Sequence, residues 1–179
     1  MKTQKQLKNN TTLIIRSIKE SDAQDLINLL NKMGGETDYL SFGKNGFPLS
    51  LEEEKILIKK QNETKNNLML LAEINGKPVG SLSLFSAQKE RTKHNGEFGI
   101  AVLKNYWGFG IAKLLMDEMI NWAKSNGVTR RINLKVCVDN KKAVKLYEDF
   151  GFEIEGKLKR EICIHGKFID NYIMSLLIN

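Results

Sequence analysis

Proline, histidine and cysteine are scarce in this chain, at two of each in 179 residues. Cys137 and Cys163 are too few for a disulfide framework or a cysteine-ligated metal cluster. His94 and His165 fall in segments that read as solvated loops, so the sequence predicts no metal site. No apolar run approaches the ~18 residues of a membrane span, and residues 1–12 have no signal-peptide core. With 41% hydrophobic and 27% charged residues, the composition excludes a disordered or fibrous chain. The expectation is a flexible leader over residues 1–12 and one cytosolic domain over 13–179, a length that buries roughly 70% of its unfolded surface.

Charge of one sign is also in short supply: 21 acidic against 28 basic residues leave a net charge of +7. The excess lies at two places, +5 over residues 1–19 and +5 over residues 124–167. Such an excess favours an anionic partner, whether nucleic acid, lipid head group or phosphorylated cofactor. A nucleic-acid binder should add a basic helix, paired stacking aromatics or a zinc pattern, and none is present.

The pattern along the chain reads as mixed α/β. Strands are expected at residues 13–18, 68–74, 79–85, 96–103, 132–138, 152–163 and 168–177. Asn75-Gly76 between the second and third is a hairpin turn. Ser21 with Gln24 reads as the start of a helix that ends at Gly34-Gly35, and Ser50 with Glu53 opens another. Glu52, Glu53 and Glu54 are read as acids in a first helical turn rather than as a cation site. Ile111, Leu115, Met119 and Trp122 place an amphipathic helix at about 110–126, and residues 141–150 form a short fourth helix.

Two segments carry chemistry. The first runs from a strand through Trp107-Gly108-Phe109-Gly110-Ile111-Ala112-Lys113 into a helix. Glycines there let backbone approach a ligand, and the following helix offers unbonded N–H groups to an anion. Lys113 occupies the place of the third glycine of a dinucleotide fingerprint, and no Gly-Lys-Ser/Thr makes an ATPase phosphate loop. The second segment begins at Asn140, placed to cap a helix, with Ala143, Leu146 and Tyr147 following, and closes at Gly151-Phe152.

Together these segments resemble the GNAT (Gcn5-related N-acetyltransferase) superfamily. Gly110 and Ala112 match its first motif; Asn140, Ala143, Leu146, Tyr147, Gly151 and Phe152 match its second. Trp107 departs from the usual Gln or Arg and looks like the branch of ribosomal-protein, spermidine and bacterial amino-acid acetyltransferases. The resemblance covers nearly everything after residue 12. It implies a single α/β (α+β) GNAT-like domain: a mixed, mostly antiparallel sheet of about seven strands, splayed between the fourth and fifth, with about four helices.

The resemblance further implies acetyl-CoA as donor, its pyrophosphate on the N–H groups of residues 108–113 (Gly108, Phe109, Gly110, Ile111, Ala112, Lys113). Its pantetheine arm would lie along Ile100, Ala101 and Val102, with Trp107, Asn140 and Ala143 nearby. Tyr147 would serve the leaving thiolate, since a phenol can donate to sulfur; read alone, it is an ordinary core aromatic. Alternation puts Glu97, Gly99 and Ala101 on one face of their strand, which makes Glu97 the candidate base, or else an acid paired to a neighbouring lysine. Tyr39 and Phe42 are candidates for touching the acceptor, a small-molecule amine or a protein N-terminal amine. Family members commonly pair as homodimers. The alternative reading is a non-catalytic acyl-CoA-binding module on the same fold.

Overall fold

The computed structural model describes residues 1–7 and 10–179. Eight strands form one sheet: β1 (Lys2–Gln6), β2 (Thr12–Ser17), β3 (Leu68–Ile74), β4 (Lys77–Ser86), β5 (Asn95–Val102), β6 (Arg131–Cys137), β7 (Glu153–Ile164) and β8 (Lys167–Leu177). Their order is β1-β2-β3-β4-β5-β6-β8-β7, antiparallel throughout except for β5 against β6. The α-helices among the described residues are α1 (Ala23–Gly34), α2 (Leu51–Glu63), α3 (Ile111–Ser125) and α4 (Lys141–Asp149).

The eighth strand corrects one expectation. Lys2–Gln6 is not a frayed leader but the edge strand, in register with β2 from Lys2↔Arg16 to Gln6↔Thr12. Backbone pairing needs no apolar alternation, and lysines on an edge strand deter further pairing. Leu7 then turns inward and joins the core at 5% exposure. Lys8 and Asn9, also within the expected leader, lie outside the described residues. A second correction concerns α1, which starts after Asp22 rather than Ser21. The Asp22 carboxylate accepts from the Lys19 N–H at 2.7 Å and from Arg16, which also reaches Glu73. At α2 the Ser50–Glu53 capping box forms reciprocally, as the spacing predicts.

Strand alternation splits the interior into two cores. Leu68, Leu70 and Ala72 of β3 face one side with Leu82, Leu84 and Phe98, covered by Ile111, Leu115 and Met119 of α3 and by Val144 and Tyr147 of α4. Met69 and Leu71 face the other side, covered by Leu26, Leu29 and Met33 of α1 and Ile58 of α2. The sheet therefore has a face that carries α3 and α4 and a face that carries α1 and α2.

Candidate functional site

The parallel pair β5–β6 is short. Only Asn95↔Arg131, Gly96↔Ile132 and Glu97↔Asn133 are in register; beyond Glu97 the two strands diverge. This is the splay, at the fourth and fifth strands of the sequence-based count and at β5 and β6 once the edge strand is included. The hydrogen-bond phase of β5 decides which groups face the gap. The Leu103 N–H donates to the Val79 carbonyl at 2.9 Å, and an antiparallel ladder alternates, so Ala101 and Gly99 exchange bonds with Ser81 and Ser83. The N–H and C=O groups of Ile100 and Val102 consequently point toward the departed β6. Ala101, grouped with them in the sequence reading, has its backbone turned to β4 instead.

Trp107 anchors the top of this edge. The residue is 45% exposed, and its Nε1–H donates to the Val102 carbonyl at 2.6 Å. The chain then turns through Gly108 and Gly110 at φ +82° and +84°, a region closed to most side chains. Beyond the adjoining residues, no heavy atom of the described residues stands within 4 Å of where a Cβ would be at either glycine, so the approach is open. The N–H groups of residues 108–113 donate to no protein carbonyl among the described residues, and the first helical bond runs from Leu114 to Gly110 at 3.1 Å. No side chain caps α3. Unbonded N–H groups at the positive end of a fifteen-residue helix suit a phosphate. Lys113 is exposed beside them, and Ala112 is small and half-buried. From the loop after α1, Glu36 accepts the Lys104 N–H at 2.7 Å and ties the turn to the α1 side.

Asn140 caps α4, its Oδ1 accepting from the Ala143 N–H at 3.2 Å. Its oxygen is thus committed to the helix, leaving the amide nitrogen for other partners. Two turns on, Tyr147 is buried among aromatics, edge-on to Phe98 at 5.7 Å and tilted against Phe152 at 6.1 Å. Burial pushes its hydroxyl up to about 12. That group stays protonated, and a hydrogen-bond donor, across the whole neutral range.

Phe98 points to the α3–α4 face and Glu97, one residue earlier, to the α1–α2 face, so Tyr147 and Glu97 flank β5 on opposite sides. Glu97 is exposed and pairs with no lysine or arginine among the described residues. It instead accepts from Asn133 Nδ2 at 3.2 Å, across the last register pair before the gap. The neighbouring cations have their own partners on β7: Lys135 on Glu161 at 2.7 Å, and Arg131 on Glu155. Asn133 was not among the sequence candidates. Its one signal is an uncharged polar side chain between Arg131 and Lys135 on the polar face of an alternating strand.

Tyr39 and Phe42 lie in the segment between α1 and α2. Tyr39 is 44% exposed; Phe42 is half-buried, edge-on to Phe47 at 5.7 Å and close to Gly34. Phe42 thus packs the loop, whereas the Tyr39 ring remains open to a ligand. The described residues contain no group of three or more His, Cys, Asp or Glu able to hold a metal ion, and no helix long and apolar enough to cross a membrane.

A model of the acetyltransferase (GNAT) family matches residues 37–152. The chain is similar to an L-amino acid N-acetyltransferase of Escherichia coli (strain K12), 40% identical over 110 residues; the match covers 59% of this chain and 65% of that protein. It is similar to the spermidine N(1)-acetyltransferase of Vibrio cholerae, 25% identical over 168 residues and 94% of each chain. Among solved structures, an acetyltransferase of the GNAT family from Streptococcus pneumoniae superposes with a TM-score of 0.89 at 40% identity, covering 93% of this chain and 99% of that one.

Proposed function

Because this chain belongs to the acetyltransferase (GNAT) family, we propose that it moves an acetyl group from acetyl-CoA to a primary amine by direct attack in a ternary complex. The observation that carries this reading is the open β5 edge running into the unbonded N–H groups of residues 108–113, with Glu97 on one face of the strand and Tyr147 on the other. These residues fit acetyl-CoA, which enters as a substrate and supplies an acyl group activated as a thioester. The α3 N-terminus with Lys113 suits its phosphates. Ile100 and Val102 offer strand-edge groups to its amide-bearing arm.

The acceptor must reach the acyl carbon as a neutral amine, although an alkylamine of pKa ~10.4 is mostly protonated at neutral pH. Glu97, open to solvent, takes that proton directly or through one water and returns it to bulk. Backbone N–H groups on the gap side of β5 stabilise the charge developing on the acyl oxygen. As the C–N bond forms and the C–S bond breaks, the nitrogen's second proton ends on sulfur. Tyr147 sits on the sulfur side of this exchange. Handing its proton outright from a hydroxyl at about 12 to an ordinary thiolate (~8.5) costs about 5 kcal/mol. Its part is therefore to hydrogen-bond the departing sulfur while the nitrogen's proton crosses.

The same reading takes the acceptor to be a small-molecule or N-terminal amine met by Tyr39, and the setting to be cytosolic. It also includes a homodimer, supported by the exposed apolar side chains Ile154 and Phe168 on the β7–β8 hairpin; light scattering on a sizing column checks it. The decisive assay follows thiol release from acetyl-CoA across a panel of amines, with mass spectrometry of the product. We expect release with at least one amine and a Tyr147→Phe variant slowed about 10–100-fold, with acetyl-CoA affinity within about twofold of wild type. Binding of CoA without release for any amine would establish a sensing module instead.

A further inference from the structure

After β5 the chain reaches the turn at 107–113 through a short 3-10 turn, Lys104–Tyr106. One end of it is fixed: the Leu103 N–H donates to the Val79 carbonyl at 2.9 Å, and Leu103 is buried in the core under α1 and α2. At the other end the Trp107 N–H donates to the Lys104 carbonyl at 3.1 Å, and the unbonded N–H groups of residues 108–113 follow at once. Leu103, at the cap position, has no side-chain oxygen to accept the first N–H of the turn. That N–H, of Lys104, is accepted at 2.7 Å by the Glu36 carboxylate, 68 positions earlier in the chain. Tyr106, in the same turn, packs against both cores. The two halves of the molecule therefore meet at Lys104–Tyr106, and Glu36 is the side chain that reaches across to hold it.

Glu36 is itself held. Its N–H donates to the Met33 carbonyl at 2.9 Å, at the end of α1. The segment after it folds back on that helix: the Phe47 N–H donates to Asn31 Oδ1 at 3.1 Å, and Gly34 lies so close to the Gly43 carbonyl that no side chain fits between them. By charge alone, a carboxylate near a turn suited to phosphates is unfavourable, so its hydrogen bond is what it contributes. We infer that Glu36 is a positioning residue for the phosphate-facing turn. From the acceptor side it fixes Lys104–Tyr106, and through that turn the direction in which the N–H groups of residues 108–113 point. The segment bearing Tyr39 and the turn that meets the donor thus share one hydrogen bond. The inference rests on the transferase reading above for the identity of the ligand, whereas the role of Glu36 is tested by binding alone.

The test titrates the full chain with CoA in a calorimeter, and with ADP, which carries a pyrophosphate but no pantetheine arm. Glu36→Ala should bind CoA about 3–10-fold more weakly, and ADP by a similar factor. Removing a negative charge would by itself tighten phosphate binding, so this loss has the opposite sign to the charge effect. Glu36→Gln keeps an acceptor oxygen at the same reach and should stay within about twofold of wild type for both ligands. Glu36→Asp, one methylene short of the bond, takes the place of the alanine variant if that one misfolds. Equal or tighter CoA binding in the shortened variant would overturn the inference. So would a glutamine variant as weak as the shortened one, or a loss seen with CoA but not with ADP. If both ligands weaken as expected but no amine is ever acetylated, the role of Glu36 stands and the transferase reading falls.

Discussion

Replacing Glu54 should make this protein more stable, and more so at high pH than at low. Glu54 lies on α2 between Leu51 and Ile58, on the face turned to the second core, and is 1% exposed. Its side chain makes no ion pair or hydrogen bond among the described residues, and its Oε2 is buried without a partner. Burial raises its carboxyl above the ordinary glutamate value. A raised folded-state value means the proton is held more tightly in the native protein. The stability this brings is complete below the unfolded value of 4.5 and is lost as pH rises through the folded value.

Glu54→Met keeps the length of the side chain and removes the unsatisfied oxygen, worth about 1–3 kcal/mol. Losing a carboxylate from the first helical turn takes back about 0.5 kcal/mol. The net gain of roughly 1–2 kcal/mol raises Tm by about 2–8 °C at this chain length. Circular dichroism melts of both proteins at pH 5, 6, 7 and 8 should show a gap that widens with pH. A variant that melts at or below wild type at pH 8, or a gap that is the same at pH 5 and pH 8, would refute the reasoning.

Two further outcomes test other parts of the molecule. Trp107→Phe keeps the ring but deletes the bond to the Val102 carbonyl; calorimetry should find acetyl-CoA bound about 2–10-fold more weakly with stability nearly unchanged, and equal affinity would remove Trp107 from the site. Leu7→Ala should cost about 2–3 kcal/mol in chemical denaturation if β1 is integral to the sheet, and a loss below about 0.5 kcal/mol would return those residues to a dispensable leader.

Elements whose side chains carry the pattern were legible in the sequence. The stripe of α3, the Ser50–Glu53 box and the Asn75-Gly76 turn all announce themselves within a few residues. Strand β1 does not, because Lys2–Gln6 is held by backbone pairing to β2, and polar side chains give no sign of it. The same divide runs through the candidate site. The turn at 107–113, the Asn140 cap and the facing of Glu97 are local, so spacing alone locates them. That Glu97 meets Asn133 depends on a parallel register closed across 36 positions, including a whole helix. That Ile100 and Val102, but not Ala101, turn their backbone to the gap depends on how β4 is phased against β5. Neither is encoded in any short stretch.

The two cores have a consequence for how such a protein can change. The open edge of β5, the turn at 107–113 and Tyr147 rest on the core under α3 and α4, whereas the segment bearing Tyr39, with α1 and α2, rests on the other. Side chains of one core scarcely enter the other's packing, because the sheet stands between them. Beyond Glu36, which holds the Lys104 N–H, residues 37–50 can be exchanged, lengthened or recoloured in charge while the opposite half keeps its shape. On the function proposed above, the fold separates what is handed over from who receives it, and leaves the second free to vary.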